Sequence, residues 1–175
     1  MTLSLDFVAA LILESLTYSM LLASDGFRTW RAETPVRTQA DDDGPRVSIA
    51  GDAAALSIRL ERPAARNAFD ARMRDELCEA LAFALEHPDG PAVTLSGAGP
   101  AFSAGGDLNE FGAAADPGAA HLIRTLRSPA RLVRDLGGRL TARLHGACVG
   151  AGIEVPAAAS RVTAKRGATF RLPEV

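Results

Sequence analysis

The segment His145-Gly-Ala-Cys-Val-Gly-Ala-Gly-Ile-Glu154 determines how the chain is interpreted, because it places three glycines and one acid in a short apolar stretch. Apolar residues alternate before it at Leu140, Ala142 and Leu144, a pattern typical of a strand. The Ala- and Val-rich residues after Gly150 predict a helix. The segment is therefore predicted to form a strand, a glycine turn and a helix.

The glycine turn is a candidate binding site for a negatively charged oxygen. Helix N-termini carry unpaired N–H groups at the positive end of the helix dipole, so the backbone at Gly150 and Ala151 can hold such an oxygen. Glu154 would then lie beside it in the first helical turn. The alternative is a glycine-rich helix start that serves only close packing, with Glu154 as an ordinary acid in the favourable first turn.

The composition indicates a globular chain with one sizeable hydrophobic core. The chain has 175 residues, of which 47% are hydrophobic, and its formal net charge is −2 at pH 7. The basic residues are scattered, which argues against nucleic acid as the main partner. Cys78 and Cys148 lie in apolar contexts without metal-ligand spacing, so we expect buried free thiols in a reducing, cytoplasmic compartment and neither a disulfide nor a metal site.

Residues 1–45 are predicted to form an N-terminal helix and a polar linker. Residues 3–23 are hydrophobic but contain Asp6 and Glu14 and have no basic n-region, so neither a signal peptide nor a membrane anchor is expected. Apolar residues occupy most faces of the helical wheel, which predicts a helix buried on most sides. The stretch from Phe27 to Arg46 is polar, with prolines and three consecutive aspartates, and is interpreted as the linker.

Residues 46–175 are predicted to form an α/β core, because short apolar runs alternate with helical patterns. Gly51-Asp52 is typical of a hairpin turn, and Asp70 is a favourable helix N-cap. We predict strands at Val47–Ile49, Ala55–Leu60, Ala92–Leu95, Leu140–Leu144, Arg161–Ala164 and Ala168–Arg171. We predict helices at Ala71–Glu86, at His121–Asp135 and after Gly150. The first of these has an apolar face formed by Met73, Leu77, Ala80, Leu81 and Ala84. The second has a row of arginines interpreted as a solvated face, namely Arg124, Arg127, Arg131 and Arg134.

Three motifs follow one another along the core. They are Arg62-Pro-Ala-Ala-Arg-Asn-Ala-Phe69, Phe102-Ser-Ala-Gly-Gly-Asp-Leu108 and Gly146-Ala-Cys-Val-Gly-Ala-Gly-Ile-Glu154. They resemble, in the same order, the Arg-Pro…Asn-Ala signature, the Phe-x-Ala-Gly-x-Asp-Leu loop and the second glycine segment of the enoyl-CoA hydratase/isomerase (crotonase) superfamily. The resemblance extends from about Val47 to Val175. It implies a crotonase-like ββα superhelix, here preceded by an extra N-terminal helix.

The resemblance implies an oxyanion hole for the thioester carbonyl of an acyl-CoA. By motif position its two backbone donors are the N–H groups of Gly106 and Ala151, and the neighbouring substrate-binding residues are Ala104, Gly105 and Gly150. Such donors stabilise the charge that develops on the thioester oxygen when an enolate forms. Coenzyme A would be part of the substrate, and no separate cofactor or metal is expected.

The hydratases of this family use two glutamates, one in the second glycine segment and one in a later Pro-Glu pair. Glu154 and Glu174 match both positions and have the family's separation. One carboxylate would orient and deprotonate water while the other exchanges a proton at the carbon next to the thioester. Both are expected to be partly desolvated, which raises the pKa of a carboxyl group. The alternative for Glu174 is a terminal surface acid.

Four other residues of these motifs carry expectations. Asp107 is expected to brace its loop, and Asn67 to satisfy backbone groups after the Arg-Pro pair. Arg66 is a candidate contact to a CoA phosphate, with a free surface arginine as the alternative. Pro156 removes an N–H inside the predicted third helix, so a kink is expected there.

The resemblance also bears on the two ends of the sequence. Family members continue beyond the Pro-Glu pair through helices that close the CoA pocket and build a trimer, so this sequence is expected to be a fragment of a longer product or a truncated relative. The stretch Leu13–Phe27 resembles one that family members carry close to their C-terminus. A circular permutation would explain this, and a family-specific N-terminal extension is the alternative.

The sequence therefore predicts acyl-CoA chemistry through an oxyanion-stabilised thioester enolate, with syn hydration of an enoyl-CoA as the reaction. If the protein is an enzyme, the alternative reaction is double-bond isomerisation. If it is not an enzyme, the alternative is a non-catalytic crotonase-like remnant. By resemblance the protein is expected to be a homo-oligomer, either a trimer or a dimer of trimers. Neither nucleic acid nor membrane is expected as a partner.

Overall fold

The structure is a computed structural model that describes residues 5–34, 36, 43–87 and 89–173. The chain divides into two compact units. The helical unit comprises Met1–Ala40 and Leu108–Ser128, and the sheet unit comprises Asp41–Asp107 and Pro129–Val175. Residues 108–128 thus belong with the N-terminal helices, a grouping that the sequence analysis did not foresee.

The sheet unit is built on a five-stranded sheet with the strand order β1-β2-β3-β4-β6. β1 and β2 form the predicted antiparallel hairpin, and β2, β3, β4 and β6 run parallel. A second sheet pairs β5 with β7 in parallel. The strands are β1 (Val47–Gly51), β2 (Ala55–Leu60), β3 (Ala92–Gly97), β4 (Leu140–Leu144), β5 (Ala147–Val149), β6 (Arg161–Ala164) and β7 (Thr169–Arg171). The predicted α/β class is therefore confirmed.

The core of the sheet unit lies between the sheet and helix α3 (Ala71–Leu85). Asp70 caps this helix as predicted, accepting a hydrogen bond of 2.6 Å from the backbone N–H of Met73. The predicted apolar face is buried against residues of β2, β3 and β4. Cys78 and Cys148 are buried free thiols, as expected, and burial raises the pKa of the Cys148 thiol.

The helical unit contains α1 (Phe7–Leu22), α2 (Asp25–Glu33) and α4 (Pro117–Leu126). The prediction of a linker from Phe27 onwards is wrong for the first part of that stretch, because α2 extends to Glu33. Ser24 caps α2 through a 3.2 Å hydrogen bond from the backbone N–H of Phe27. Ser24 is a local signal for the start of a helix, and it was overlooked because the stretch after it is polar. Pro35 and residues 37–42 of the predicted linker lie outside the described residues.

The prediction that α1 is buried on most sides is also wrong. Ser15 is its one buried residue among those described. Large apolar side chains remain exposed along it, including Leu13, Leu16 and Met20, the last with 74% of its surface exposed. α4 and α2 pack against α1 in this unit, and they leave these apolar side chains exposed. Among the described residues no single helix is long and apolar enough to cross a membrane, whereas α1 and α2 together, bent by 65°, meet those two criteria.

The helix predicted from His121 to Asp135 is in fact two helices, α4 and α5 (Pro129–Asp135). Pro129 disfavours a helical conformation of the residue before it, so the chain breaks there. The interpretation of Arg124 as solvated is wrong. Its guanidinium donates to the hydroxyl of Ser15 at 3.0 Å and lies 5.0 Å from the centre of the Tyr18 ring. The helical spacing of the arginines alone does not reveal a hydrogen-bond partner that is about a hundred residues away in the chain.

Four buried charged side chains join distant segments of the sheet unit, namely those of Arg46, Arg62, Asp70 and Asp107. Arg62 Nη1 donates to Asp107 Oδ2 at 2.7 Å and lies 3.4 Å from Asp70 Oδ2, which also accepts from Arg46 Nε at 3.0 Å. Each of the four residues is at most 9% exposed. Two positive and two negative charges share the cluster, which offsets part of the cost of removing them from water.

The variant Asp70→Asn is expected to destabilise the protein strongly. It keeps an oxygen to cap α3 but leaves the guanidinium groups of Arg46 and Arg62 with a single carboxylate between them. Breaking a buried ion pair in this way costs about 3 kcal/mol in the free energy of unfolding, measurable by urea denaturation. Asp52→Asn is the control, since that exposed aspartate also accepts backbone hydrogen bonds. Equal urea midpoints for the two variants would contradict the role of Asp70 in balancing the buried arginines.

Candidate active site

The first glycine turn, Ala104-Gly105-Gly106, is held by the backbone of the segment that begins with the Arg-Pro pair. Ala104 N–H donates to the carbonyl of Arg66, and Phe69 N–H donates to the carbonyl of Gly105, both at 2.8 Å. Arg66 and Asn67 adopt left-handed backbone conformations, with φ of 51° and 53°. This unusual pair of residues bends the segment so that its backbone groups meet the turn.

Asn67 and Asp107 have the bracing roles that the sequence predicted. Asn67 is fully buried, and its Oδ1 accepts from the backbone N–H of Arg62 at 2.9 Å. Its Nδ2 donates to three backbone carbonyls of the glycine-rich loop, those of Ala98, Ala101 and Phe102. Asp107 ends the same loop and is bound by Arg62. Both side chains therefore fix the loop by bonds to groups that water cannot reach.

The second glycine turn begins helix α6 (Ala151–Ala157) as predicted, but the strand that enters it is β5, a separate short strand after β4 that was not predicted. Gly150 has φ 47° and ψ −118°, a conformation that glycine tolerates best. Its N–H donates to the carbonyl of Arg171 at 3.0 Å. The helix ends one residue after Pro156, which therefore lies in the last turn of a short helix and not within a longer, kinked one.

The two glycine turns lie directly against each other in the sheet unit. A side chain at Gly105 would bring its Cβ within 2.8 Å of the Val149 carbonyl oxygen and 3.8 Å of the Cα of Gly150. At Gly152, a Cβ would lie 2.7 Å from the carbonyl oxygen of Ser103. Close packing therefore requires glycine at these places, and it brings together two turns that are separated by more than forty residues.

The neighbouring hydrogen bonds fix the direction of two backbone N–H groups. In a planar trans peptide the C=O and N–H point opposite ways. Because the Gly105 carbonyl accepts from Phe69, the N–H of Gly106 points away from that segment. The Gly150 carbonyl accepts from residues 153 and 154 of α6, so the N–H of Ala151 points out of the helix start. Neither N–H has an acceptor among the residues that the structure describes.

Of the two predicted acids, Glu154 lies in the first turn of α6, where the sequence expected it. The expectation that it is partly desolvated is not met, since the residue is exposed. A short helix at the surface of its unit leaves that turn open. Glu174 lies outside the described residues.

Arg66 takes part in the site through its backbone. Its carbonyl anchors Ala104, while the residue as a whole is exposed. A contact of its side chain with a CoA phosphate stays a prediction.

A surface pocket lies elsewhere, in the helical unit, and none of the predicted site residues lines it. Its lining includes Tyr18, Leu22, Phe111 and Arg124. Pairs of backbone donors do not require a deep cavity before substrate binds, so the geometry of the glycine turns is the better guide to the chemistry.

The glycine turns and their order along the chain agree with a known family. The family model described as enoyl-CoA hydratase/isomerase matches residues 51–175. The chain belongs to the enoyl-CoA hydratase/isomerase family. The match covers most of the sheet unit, including both glycine turns and Glu154.

Individual family members show how much of this chain can be compared with known proteins. A mevalonyl-coenzyme A hydratase of Beauveria bassiana is 34% identical over 69% of this chain and 46% of the relative. Cyclohexa-1,5-dienecarbonyl-CoA hydratase of Thauera aromatica is 33% identical over 74% of this chain and 49% of the relative. The crystal structure of an enoyl-CoA hydratase from Thermoplasma volcanium is 30% identical with a TM-score of 0.63, covering 75% of this chain and 52% of that one. The crotonase-like fold is thus confirmed, and the chain spans about half the length of the curated relatives it matches.

Sequence reasoning missed two arginines of the buried charge cluster that includes Asp107 of the first glycine loop. Arg62 was quoted within a motif but was given no role, although it binds Asp107. Arg46 was placed in the linker, and nothing in its local pattern indicated a partner at Asp70. The available signal was an arginine directly before the start of β1 and another two residues after the end of β2, which is weak evidence by itself.

The variant Gly105→Ala is expected to lower the free energy of unfolding by about 1–3 kcal/mol, because Gly105 has φ 89° and its Cβ would contact Val149. Gly138→Ala is the matched control. A Cβ at Gly138 would meet nothing within 4 Å, so that change should alter stability by less than about 1 kcal/mol. Thermal denaturation of both variants measures the difference. If the two melted alike, the close contact between the turns would be refuted.

Proposed function

We propose that the two glycine turns form an oxyanion hole for the thioester carbonyl of an acyl-CoA, and that the reaction is the syn hydration of an enoyl-CoA. The observation that carries the proposal is the direction of the N–H groups of Gly106 and Ala151. The carbonyl of the preceding residue accepts a hydrogen bond in each case, so the N–H of Gly106 points away from the Phe69 segment and the N–H of Ala151 points out of the helix start. The hydratase names of several relatives support the same reaction class.

Hydration of an enoyl thioester begins with attack of the water oxygen on the β-carbon. The electron pair of the double bond then moves towards the thioester oxygen, and an enolate forms. Two fixed N–H donors stabilise this oxygen more in the transition state than in the substrate, because the negative charge grows during the step. Protonation at the α-carbon returns the electron pair and completes the addition.

The proposed proton carriers are Glu154 and Glu174. Glu154 lies three residues after Ala151 in α6, so the acid and the proposed donor share one side of that helix. One carboxylate would take a proton from water while the other gives one to the α-carbon. Arg66 is the proposed contact to a CoA phosphate. The absence of a separate cofactor or metal, the cytoplasmic location and the homo-oligomer stay predictions.

The variant Ala151→Pro tests the oxyanion hole with little change to the fold. Proline is well tolerated at the first position of a helix, where its missing N–H has no helical acceptor. Removing one oxyanion donor is expected to lower kcat for hydration of crotonyl-CoA about 10²- to 10³-fold. Ala151→Ser keeps the N–H and should retain activity. Equal kcat for the proline and serine variants would refute this role of Ala151.

The two acids are tested by Glu154→Gln and Glu174→Gln, which keep the shape and remove the charge. If both act on one water, each variant should lose about 10²- to 10⁴-fold in kcat. Glu86→Gln, the same change at an exposed position at the end of α3, should have no effect. Loss of activity in Glu174→Gln alone would favour double-bond isomerisation, for which one glutamate suffices.

A further inference from the structure

The hydroxyl of Ser103 occupies an unusual place beside the first glycine turn. Ser103 is fully buried. Its Oγ donates a hydrogen bond to the carbonyl of Asn67 at 2.8 Å and accepts one from the backbone N–H of Gly105 at 3.1 Å. A serine hydroxyl has one proton to donate, so these two bonds define its orientation.

The hydroxyl completes the restraint on Gly105. Its N–H is held by Ser103 and its carbonyl by Phe69, so the peptide groups on both sides of Gly105 are fixed. Gly105 is in the left-handed region, and a glycine there has wide conformational freedom. Without the hydroxyl the peptide group before Gly105 loses this bond, and the bond from Phe69 is left to restrain the peptide group that carries the Gly106 N–H.

The same residue also contacts the second glycine turn. Val149 N–H donates to the carbonyl of Ser103 at 3.0 Å, and Ser103 N–H donates to the carbonyl of Ala147 at 3.3 Å. The Cα of Gly152 packs on Ser103 as well, since a Cβ there would lie 2.9 Å from the serine Cβ. A shift of Ser103 therefore changes the spacing between the two turns.

We propose that Ser103 is a positioning residue whose hydroxyl sets the direction of the Gly106 N–H and so the polarisation of a bound thioester carbonyl. The proposal rests on the oxyanion hole proposed above. It goes beyond the oxyanion hole because it assigns a role to the hydroxyl of Ser103. If Ser103 served only close packing, any small residue that packs well could take its place. The two cases differ in what happens when the hydroxyl alone is removed.

The experiment compares the wild type with Ser103→Ala and with the control Ser48→Ala. Ser48 donates a 2.8 Å hydrogen bond to Glu61 on the hairpin, and its loss removes a comparable bond outside the glycine turns. The probe is cinnamoyl-CoA, whose conjugated thioester absorbs at longer wavelength when its carbonyl is polarised. In the wild type and in Ser48→Ala, binding should shift the absorption maximum to longer wavelength. In Ser103→Ala the ligand should bind with a greatly reduced shift.

Kinetics provides the second comparison. A displaced donor weakens an interaction that is strongest in the transition state, so Ser103→Ala should lower kcat for crotonyl-CoA about 10²-fold with a much smaller change in KM. A wild-type shift together with an equal shift in Ser103→Ala would overturn the role of Ser103 and leave the oxyanion hole standing. No shift and no turnover in the wild type would overturn both.

A third measurement does not depend on the variant's folding. Amide hydrogen exchange of the wild type should show the Gly105 N–H to be protected, because a buried hydroxyl accepts its hydrogen bond. Rapid exchange of that amide in the folded protein would overturn the proposal.

Discussion

The hydrogen-bonded ion pair between Arg62 and Asp107 is the interaction on which the geometry of the sheet unit most depends. It joins residues 45 positions apart, and Asp70 brings the start of α3 into the same cluster. Little water reaches these side chains, so the loss of one partner leaves the cluster with an unbalanced buried charge. The amide of Asn67 acts in the same region by binding three carbonyls of one loop. The loop that carries the first glycine turn is therefore fixed before any ligand is bound.

Packing and the proposed chemistry make the same demand on the glycines. The sequence left open whether the second glycine segment serves close packing or anion binding, and the contacts of Gly105 and Gly152 show that the packing is real. The same close approach brings the two turns side by side, with one N–H of each turned away from the segment or helix to which the preceding carbonyl is bonded. Backbone donors are suited to this task because they are held by the fold and need little reorganisation when charge develops.

The helical unit follows different rules from the sheet unit. Its helices carry apolar residues on more than one side, and three helices do not cover them all. Arg124 binds Ser15 and stacks on Tyr18, which ties α4 to α1 by polar contacts where apolar burial is incomplete. A helical wheel records which residues are apolar. It does not record how many neighbours are available to bury them, and the prediction for α1 was wrong for that reason.

The sequence by itself determined every described strand except β5, together with the hairpin turn, the capped helix at Asp70 and the two glycine turns, because alternation, caps and glycine conformations act over a few residues. Its motif order was also sufficient to indicate the family. Only the tertiary structure decided that Arg46 and Arg62 share Asp70, that Ser103 holds Gly105, and that Glu154 is exposed. These depend on which distant segments meet and on how much surface they cover. Both are outcomes of packing the whole chain, and no short stretch of sequence carries them.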